Sequence, residues 1–378
     1  MLNRDGERAA LSTPPWFYRN QLRELPEYEK GELVQVVSRG RVIGVGFYNP
    51  LSQLTLRMVE YGITQITPSF WRKRIERAIK RRETARIESN SYRLIHSEGD
   101  GIPGLIVDKY GEYLVTLWNS AGVERWKETI LTLLLQLLKP KGIYQKGDRV
   151  REKEGLSVEE GELWGRVPDR FIVEERGFKF ITYLKSGQKT GFYLDQRENR
   201  KRVARWSKGG RVLDLFANSG GFGIESGGKE IYFFEASQLA VNLIEENCRL
   251  NGVANYKIFK GDLFKLLPQL DRNEPFDTII IDPPPFAKTK KAKEGALKGW
   301  KYLLSQGLEL VKEGGVLAPF SCSHWIGWED LLSLLRELAV KKGREVEVLE
   351  LLKQDVDHPY LIHYPPTLYL TGFTARVW

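Results

Sequence analysis

From about residue 187 onward one pattern repeats: a short apolar run, an amphipathic stretch, then another short apolar run. The runs Arg211 to Phe216, Glu230 to Phe234, Tyr256 to Phe259, Thr278 to Ile281 and Gly315 to Phe320 read as buried strands, and helical spacing fills most gaps between them. Strands separated by helices pair in parallel, because the chain must cross back before it can start the next one. Val346 to Leu352 and Thr367 to Val377 supply two more, the last read as an antiparallel addition. The expected fold class is α/β, a doubly wound sheet of seven strands.

The part before this pattern has a different texture. Glu32 to Ser38 and Arg41 to Tyr48 are β-rich and split by Arg39-Gly40, which suggests a small β-barrel over residues 1–68. From Thr67-Pro68, Ser69 is placed to cap a helix whose apolar residues Phe70, Trp71, Ile75, Ala78 and Ile79 recur at helical spacing. Its other face carries Arg72, Lys73, Arg74 and Arg77 among further cations, more than i,i+4 pairing uses. Residues 69–185 read as an α+β middle domain with a hairpin around Lys109-Tyr110-Gly111, a helix from Val123 to Leu138 and two more strand regions, leaving 186–378 for the parallel sheet.

Composition narrows the function. The 378 residues carry a net charge of +9, which favours a polyanionic partner. Two cysteines and four histidines are too few for a disulfide framework or a four-ligand zinc site, so we expect a reducing cytoplasm and no metal. The first fifteen residues hold no apolar core, and neither secretion nor a membrane span is expected.

Chemistry concentrates at strand ends. Asp214 stands near the tip of the first parallel strand, followed by Phe216, Ser219 and the pair Gly220-Gly221, a turn that lets a ligand approach backbone. Glu235 ends the second strand 21 residues later, near the spacing of about 20 at which an acid meets ribose hydroxyls. The loop is not a G-x-G-x-x-G, so a nucleoside without phosphates fits better than a dinucleotide, and S-adenosyl-L-methionine is such a ligand. Asp262-Leu263 follows the third strand, where Asp262 either accepts from an adenine amino group or caps a helix. The fourth ends in Asp282-Pro283-Pro284-Pro285-Phe286, a rigid lip without backbone donors at the prolines. The fifth ends in Ser321-Cys322-Ser323-His324, which would bring Cys322 beside Asp282, whereas Cys248 lies inside a helix and reads as packing. After the lip, Lys288, Lys290 and Lys291 begin a second basic run.

These stretches, with Gly44-Val45-Gly46-Phe47-Tyr48-Asn49-Pro50, Gly99-Asp100-Gly101-Ile102-Pro103-Gly104-Leu105-Ile106-Val107-Asp108, Lys189-Thr190-Gly191-Phe192-Tyr193-Leu194-Asp195-Gln196-Arg197 and Asp357-His358-Pro359, resemble the bacterial family of 23S ribosomal RNA cytosine-C5 methyltransferases with an N-terminal PUA domain. One departure is Ala217-Asn218-Ser219, where the family commonly has a cysteine and a tyrosine; the backbone makes that turn, so donor binding should survive. The resemblance implies a PUA-type RNA-binding barrel and a Rossmann-like methyltransferase domain. It also implies that Gln188 to Asp195 closes over the donor, with Thr190 and Phe192 in contact. Asp357-His358-Pro359 has no role at this level beyond a turn.

Cytosine C5 is a poor nucleophile, so the implied reaction needs a thiolate at C6, and Cys322 is the residue for it, with Asp282 at the base's N3 and amino edge. Asp214, Phe216, Ser219, Gly220, Gly221, Glu235, Asp262, Leu263 and Asp282 would hold the donor. His324 and water both remain open as the base for the C5 proton. Two other readings stay open: methylation of an exocyclic amine on adenine or guanine, with the base stacked on Phe286, and a non-catalytic RNA-binding or ribosome-assembly factor. Self-pairing as a homodimer is also open.

Overall fold

The structure is a computed structural model and describes residues 1–23, 27–62, 65–187, 190–287 and 289–378. The chain forms two compact units. One comprises residues 1–171, 183–194 and 356–367; the other comprises 172–182, 195–355 and 368–378.

The first unit opens with α1 (Arg4–Ala9), β1 (Trp16–Phe17), β2 (Glu32–Ser38), β3 (Arg41–Tyr48) and β4 (Leu56–Tyr61), an antiparallel sheet in the order β1-β4-β3-β2. Arg39 and Gly40 both take positive φ, the twist that suits a two-residue hairpin between β2 and β3. Helix α2 (Pro68–Ala85) begins two residues earlier than expected: Thr67 caps it by accepting from Phe70 N–H, and Pro68 sits at the first helical position, where no donor is needed. Trp71, Ile75 and Ala78 bury one face of α2. They pack with residues of β5 (Ser91–His96), β6 (Leu105–Tyr110), β7 (Tyr113–Trp118) and β8 (Gly142–Gln145), which with β9 (Gly161–Gly165) form a sheet in chain order. The helix expected over 123–138 is divided into α3 (Ala121–Arg125) and α4 (Lys127–Leu138). Trp126 leaves helical dihedrals between them, its indole 5.7 Å from that of Trp71.

The second unit takes most of the hairpin of β10 (Arg170–Glu175) and β11 (Phe178–Tyr183), then α5 (Arg197–Ser207), β12 (Arg211–Leu215), α6 (Gly221–Glu225), β13 (Glu230–Glu235), α7 (Gln238–Leu250), β14 (Tyr256–Lys260), α8 (Leu263–Leu266), β15 (Phe276–Ile281), α9 (Lys293–Leu310), β16 (Val311–Ser321), α10 (Trp328–Lys342), β17 (Val346–Lys353) and β18 (Thr371–Val377). The sheet has seven strands in the order β14-β13-β12-β15-β16-β18-β17. The first five are parallel, and β18 runs antiparallel to both neighbours. Strand order reverses between β12 and β15, and a crevice at the carboxyl ends of such a pair is where open α/β sheets hold ligands. Leu213, Leu215, Ile279, Ile281 and Leu317 face a core shared with Trp300, Leu303 and Leu304 of α9 and Leu331 and Leu335 of α10. The alternation of the strand therefore turns Asp214 to the opposite side from its two leucine neighbours.

Helix α5 is tied down by charge. Buried Arg200 donates to both carboxylate oxygens of Glu175 at 2.7 and 2.8 Å and to Glu225 at 2.9 Å, while Arg176 reaches Glu225 at 2.6 Å. Removing a partner from a buried ion pair leaves uncompensated charge in a medium of low polarity. Arg200→Met should therefore destabilise the protein by about 3–5 kcal/mol in denaturant unfolding; a loss below about 1 kcal/mol, the range of exposed pairs, would contradict this account.

Candidate active site

Near the carboxyl end of β12, buried Asp214 accepts from Gly223 N–H of the following loop and helix through Oδ2 at 2.8 Å. Burial nevertheless pushes its carboxyl up to about 8, and the charges of Asp282 and Glu235 push the same way. The loop can be this tight because of its glycines. Gly220 has φ +78°, and a Cβ on Gly223 would lie 2.3 Å from Phe233 Cε1, so α6 can lie against β13 only without a side chain there. Phe216 and Asn218 also take positive φ, a conformation a phenylalanine adopts only under constraint, at a cost of order 1–3 kcal/mol.

Glu235 is fixed by backbone: Oε2 accepts from Asn218 N–H at 2.9 Å, and Oε1 from the N–H groups of Ala236 and Ser237 at 2.8 and 2.9 Å. The carboxyl expected at a ribose thus also clamps the glycine loop. Buried Asn247 of α7 does the same from the other side, donating to the carbonyl of Ser219 at 3.0 Å and accepting from Ile181 N–H at 2.7 Å. Sequence reasoning passed over Asn247. The signal was there: it lies three residues after Ile244 on the apolar face of α7, where an amide needs a partner. Gly221 and Leu263 are buried. Asp262 is exposed and its Oδ1 accepts from Phe264 N–H at 3.0 Å, capping α8.

Asp282 follows β15 and is half-buried; its Oδ2 accepts from Gln196 Nε2 at 3.0 Å. Across the β15–β16 ladder Ile281 pairs with Pro319, so the residues that end the two strands emerge side by side. Cys322 is half-buried with Sγ 3.9 Å from the carbonyl oxygen of Pro283. The flanking serines hold it there. Ser323 Oγ donates to the carbonyl of Ala287 at 2.8 Å, tying the proline lip to the end of β16, and Ser321 Oγ donates to the carbonyl of Ile326 at 3.0 Å. Phe286 packs edge-on against Phe216 and tilted against Trp300. His324 is exposed, with its imidazole held below the ordinary value by desolvation. Cys248 is fully buried, and burial pushes its thiol up to about 12, which makes it unreactive near neutral pH.

Thr190 and Phe192 belong to the first unit. Thr190 Oγ1 donates to Asp108, and Phe192 N–H donates to the Tyr110 hydroxyl at 3.0 Å. Gln188 and Lys189 lie outside the described residues. Asp108 is also gripped by Arg93 at 2.7 and 2.8 Å, whose own N–H donates to Asp357 Oδ2 at 2.9 Å. Arg82, buried, donates to both oxygens of Asp100 at 2.7 Å and to the Asp357 carbonyl at 2.6 Å, and His358 Nδ1 lies 2.7 Å from Asp357 Oδ1. The segments that carry Asp100 and Asp108, Thr190, and Asp357-His358 thus form one buried polar network. Asp357-His358 has a packing role there that no turn rule reveals. Burial and the charges of His358, Arg93 and Arg82 hold His96 well below the usual imidazole range.

Of the basic residues on α2, Lys73 and Arg77 are exposed, Arg72 bonds Gln136, and Arg74 pairs with Glu60. Arg74, Arg77 and Arg81 line a cavity of about 500 Å³ together with Glu60, Tyr61 and Asp100. Lys290 and Lys291 are exposed, and Lys288 lies outside the described residues. The rest of that run is less free than its composition suggested, since Lys293 pairs with Asp330 and Lys301 with Glu337.

A buried carboxylate crowded by two others, over a loop whose backbone is open to close approach, suits a nucleoside ligand that carries positive charge. S-adenosylmethionine has a sulfonium and an ammonium, and Asp214, Glu235 and the loop from Phe216 to Gly221 are the residues that would hold it. Comparison with known proteins agrees. The family of S-adenosylmethionine-dependent methyltransferases matches residues 148–361, and the PUA-like domain matches residues 1–61. The chain is 36% identical to a Tolumonas auensis protein named ribosomal RNA large subunit methyltransferase I, over 99% of this chain and 98% of that one. The Escherichia coli K12 protein of the same name is 33% identical, over 100% and 98%. A Streptococcus mutans structure described as a SAM-dependent methyltransferase superposes with a TM-score of 0.84 at 21% identity, covering 100% of this chain and 99% of that one. A methyltransferase crystal structure complexed with SAH has a TM-score of 0.86 at 22% identity, with the same coverage; these two likenesses concern the fold. The chain therefore belongs to the S-adenosylmethionine-dependent methyltransferases with a PUA-like amino-terminal domain, the family of ribosomal RNA large subunit methyltransferase I.

Proposed function

We propose that the protein forms 5-methylcytosine in large-subunit ribosomal RNA through a covalent adduct on Cys322. What carries this reading is the position of Cys322: half-buried at the end of β16, against the Pro283 carbonyl and one strand from Asp282, while Cys248 is sealed in the core. The relatives' name, ribosomal RNA large subunit methyltransferase I, supports the substrate class. When bound, S-adenosylmethionine supplies a methyl group on a sulfonium, open to a carbon nucleophile. Cys322 adds as thiolate to C6 of the cytosine, which raises the electron density at C5. Asp282 accepts from the protonated N3 and the amino edge, stabilising the charged ring that takes the adduct. After C5 is methylated, a base takes the C5 proton, its electron pair restores the C5–C6 double bond, and sulfur leaves as thiolate.

Residues 1–68 and 69–185 serve as RNA-gripping modules, with Arg72, Lys73, Arg74 and Arg77 on phosphates. Lys290 and Lys291 do the same beside the site formed by 186–378. Asp262 and Leu263 border the donor's adenine in this reading. The protein works in the cytoplasm, where both thiols stay reduced.

Cys322→Ala should lower methyl transfer to cytosine-containing ribosomal RNA on the order of 100-fold or more. Calorimetric affinity for S-adenosylmethionine should stay within a few fold. Mass spectrometry of nucleosides from the treated RNA reads the product; near-parental transfer by the variant, or methylation of an exocyclic amine by the parent, would overturn the covalent reading. A second expectation concerns Asp214. With its carboxyl near 8 in the free protein, it is mostly protonated at pH 6 to 7, and a cationic ligand binds best to the ionised form. Affinity for S-adenosylmethionine should therefore tighten as pH rises toward 8, by up to about tenfold per unit, with a proton released on binding. Titrations in two buffers of different ionisation heat check this, and a pH-independent affinity from 6 to 8 would count against it. The sign for stability is opposite: the folded carboxyl binds its proton more tightly than the unfolded one, so the ligand-free protein loses stability as pH climbs from about 4 to 8.

A further inference from the structure

We infer that Gln196 is a positioning residue for Asp282, oriented by Asn199, and that the pair keeps this carboxylate an acceptor during methyl transfer. The inference rests on the role given to Asp282 above.

The geometry is a relay of buried amides at the start of α5. Gln196 Nε2 donates to Asp282 Oδ2 at 3.0 Å. Gln196 Oε1 accepts from Asn199 Nδ2 at 2.7 Å, and the same nitrogen donates to the carbonyl of Lys353 at 3.1 Å. Gln196 and Asn199 are each 2% exposed, so water does not compete for these groups. The direction of the relay follows from its two ends. The Lys353 carbonyl can only accept, so Asn199 must turn its NH2 group toward it. The second N–H of that group then meets the oxygen of Gln196, which leaves the NH2 group of Gln196 facing Asp282. Rotating Asn199 would set its oxygen against both the Lys353 carbonyl and Gln196 Oε1. The relay therefore runs one way and offers Asp282 a donor. A carboxylate in this place is stabilised, whereas a carboxylic acid would have to give up this bond or aim its proton elsewhere.

The backbone on either side of Gln196 is held as well. Asp195 accepts from the Tyr369 hydroxyl at 2.7 Å, its carbonyl accepts from Asp355 N–H at 3.0 Å, and Arg197 pairs with Asp355 at 2.5 Å. An amide fixed on both flanks and at its own oxygen loses little freedom in meeting its target, which is what holding a reacting group requires. Its target has company: Asp214 on β12, once ionised, adds negative charge near Asp282, and Cys322 at the end of β16 lies against the next residue's carbonyl. A donor on Asp282 that carries no charge of its own steadies it without attracting the carboxylate away from a cationic ring, as a lysine or arginine would.

The test uses the full-length protein and ribosomal RNA. Gln196→Met keeps the length and removes the donor; it should lower kcat about 10- to 100-fold. The KM for RNA and the affinity for S-adenosylmethionine should each stay within about threefold, because Gln196 acts on the ring that becomes charged. Asn199→Ala should cost less, and the double variant Gln196→Met with Asn199→Ala no more than Gln196→Met alone. Placed on Asp282→Asn, Gln196→Met should change kcat by less than about twofold, since its target is already altered. A kcat for Gln196→Met within about twofold of the parent, or an undiminished effect in the Asp282→Asn background, would overturn the inference. Thermal unfolding of each variant separates loss of fold from loss of positioning. Should the parent methylate an amine instead, the cytosine reading fails on product identity alone, while the dependence of the Gln196 effect on Asp282 is still measured.

Discussion

The crowding of carboxylates at the carboxyl ends of β12, β13 and β15 is the constraint around which the methyltransferase unit is organised. Asp214, Glu235 and Asp282 lie close enough for their charges to act on one another, and Asp214 is fully buried. Left alone, such a group disfavours the folded state in its charged form. The structure limits the penalty with fixed dipoles: Gly223 N–H on Asp214, three backbone N–H groups on Glu235, and the Gln196 amide on Asp282. These donors reduce the repulsion without cancelling it, and a cationic ligand is what would complete the balance. In the proposed reading, affinity for S-adenosylmethionine would be stored in the cost of assembling this site.

The same economy explains why residues far from the reacting atoms are polar and buried. Asn247 and Glu235 hold the glycine loop from opposite sides, so the unusual backbone at Phe216 and Asn218 has no slack into which to relax. Ser323 anchors the proline lip to the strand that carries Cys322, which keeps sulfur and Asp282 in register although they belong to different strands. In the first unit a comparable chain of Arg82, Arg93, Asp100, Asp108 and Asp357 fastens the segments 183–194 and 356–367, and it neutralises cations that composition alone would count as exposed. A tally of lysines and arginines therefore overstates the exposed positive charge; burial and pairing decide how much of it reaches the surface.

The seven-stranded sheet was legible because short apolar runs separated by amphipathic helices have few other ways to bury themselves. The strand-end positions of Asp214, Glu235, Asp282 and Cys322 were legible because strand ends in such a sheet converge, so spacing along the chain translates into position. Helix boundaries were less legible. Thr67 rather than Ser69 caps α2 because the following proline suits the first helical position, and Trp126 divides the α3–α4 region where its indole meets Trp71 from a distant helix.

Local sequence, then, determined periodicity, where strands and helices lie along the chain and which residue types stand at strand ends, since each of these depends on neighbours within a few positions. Only the tertiary structure decided the partnerships: Asn247 with Ser219, Gln196 with Asp282, Asp357 with Arg93 and Arg82. The reason is physical. A polar side chain must find a partner once it is buried, but its sequence states only the demand, and which group meets it depends on chain segments that folding alone brings together.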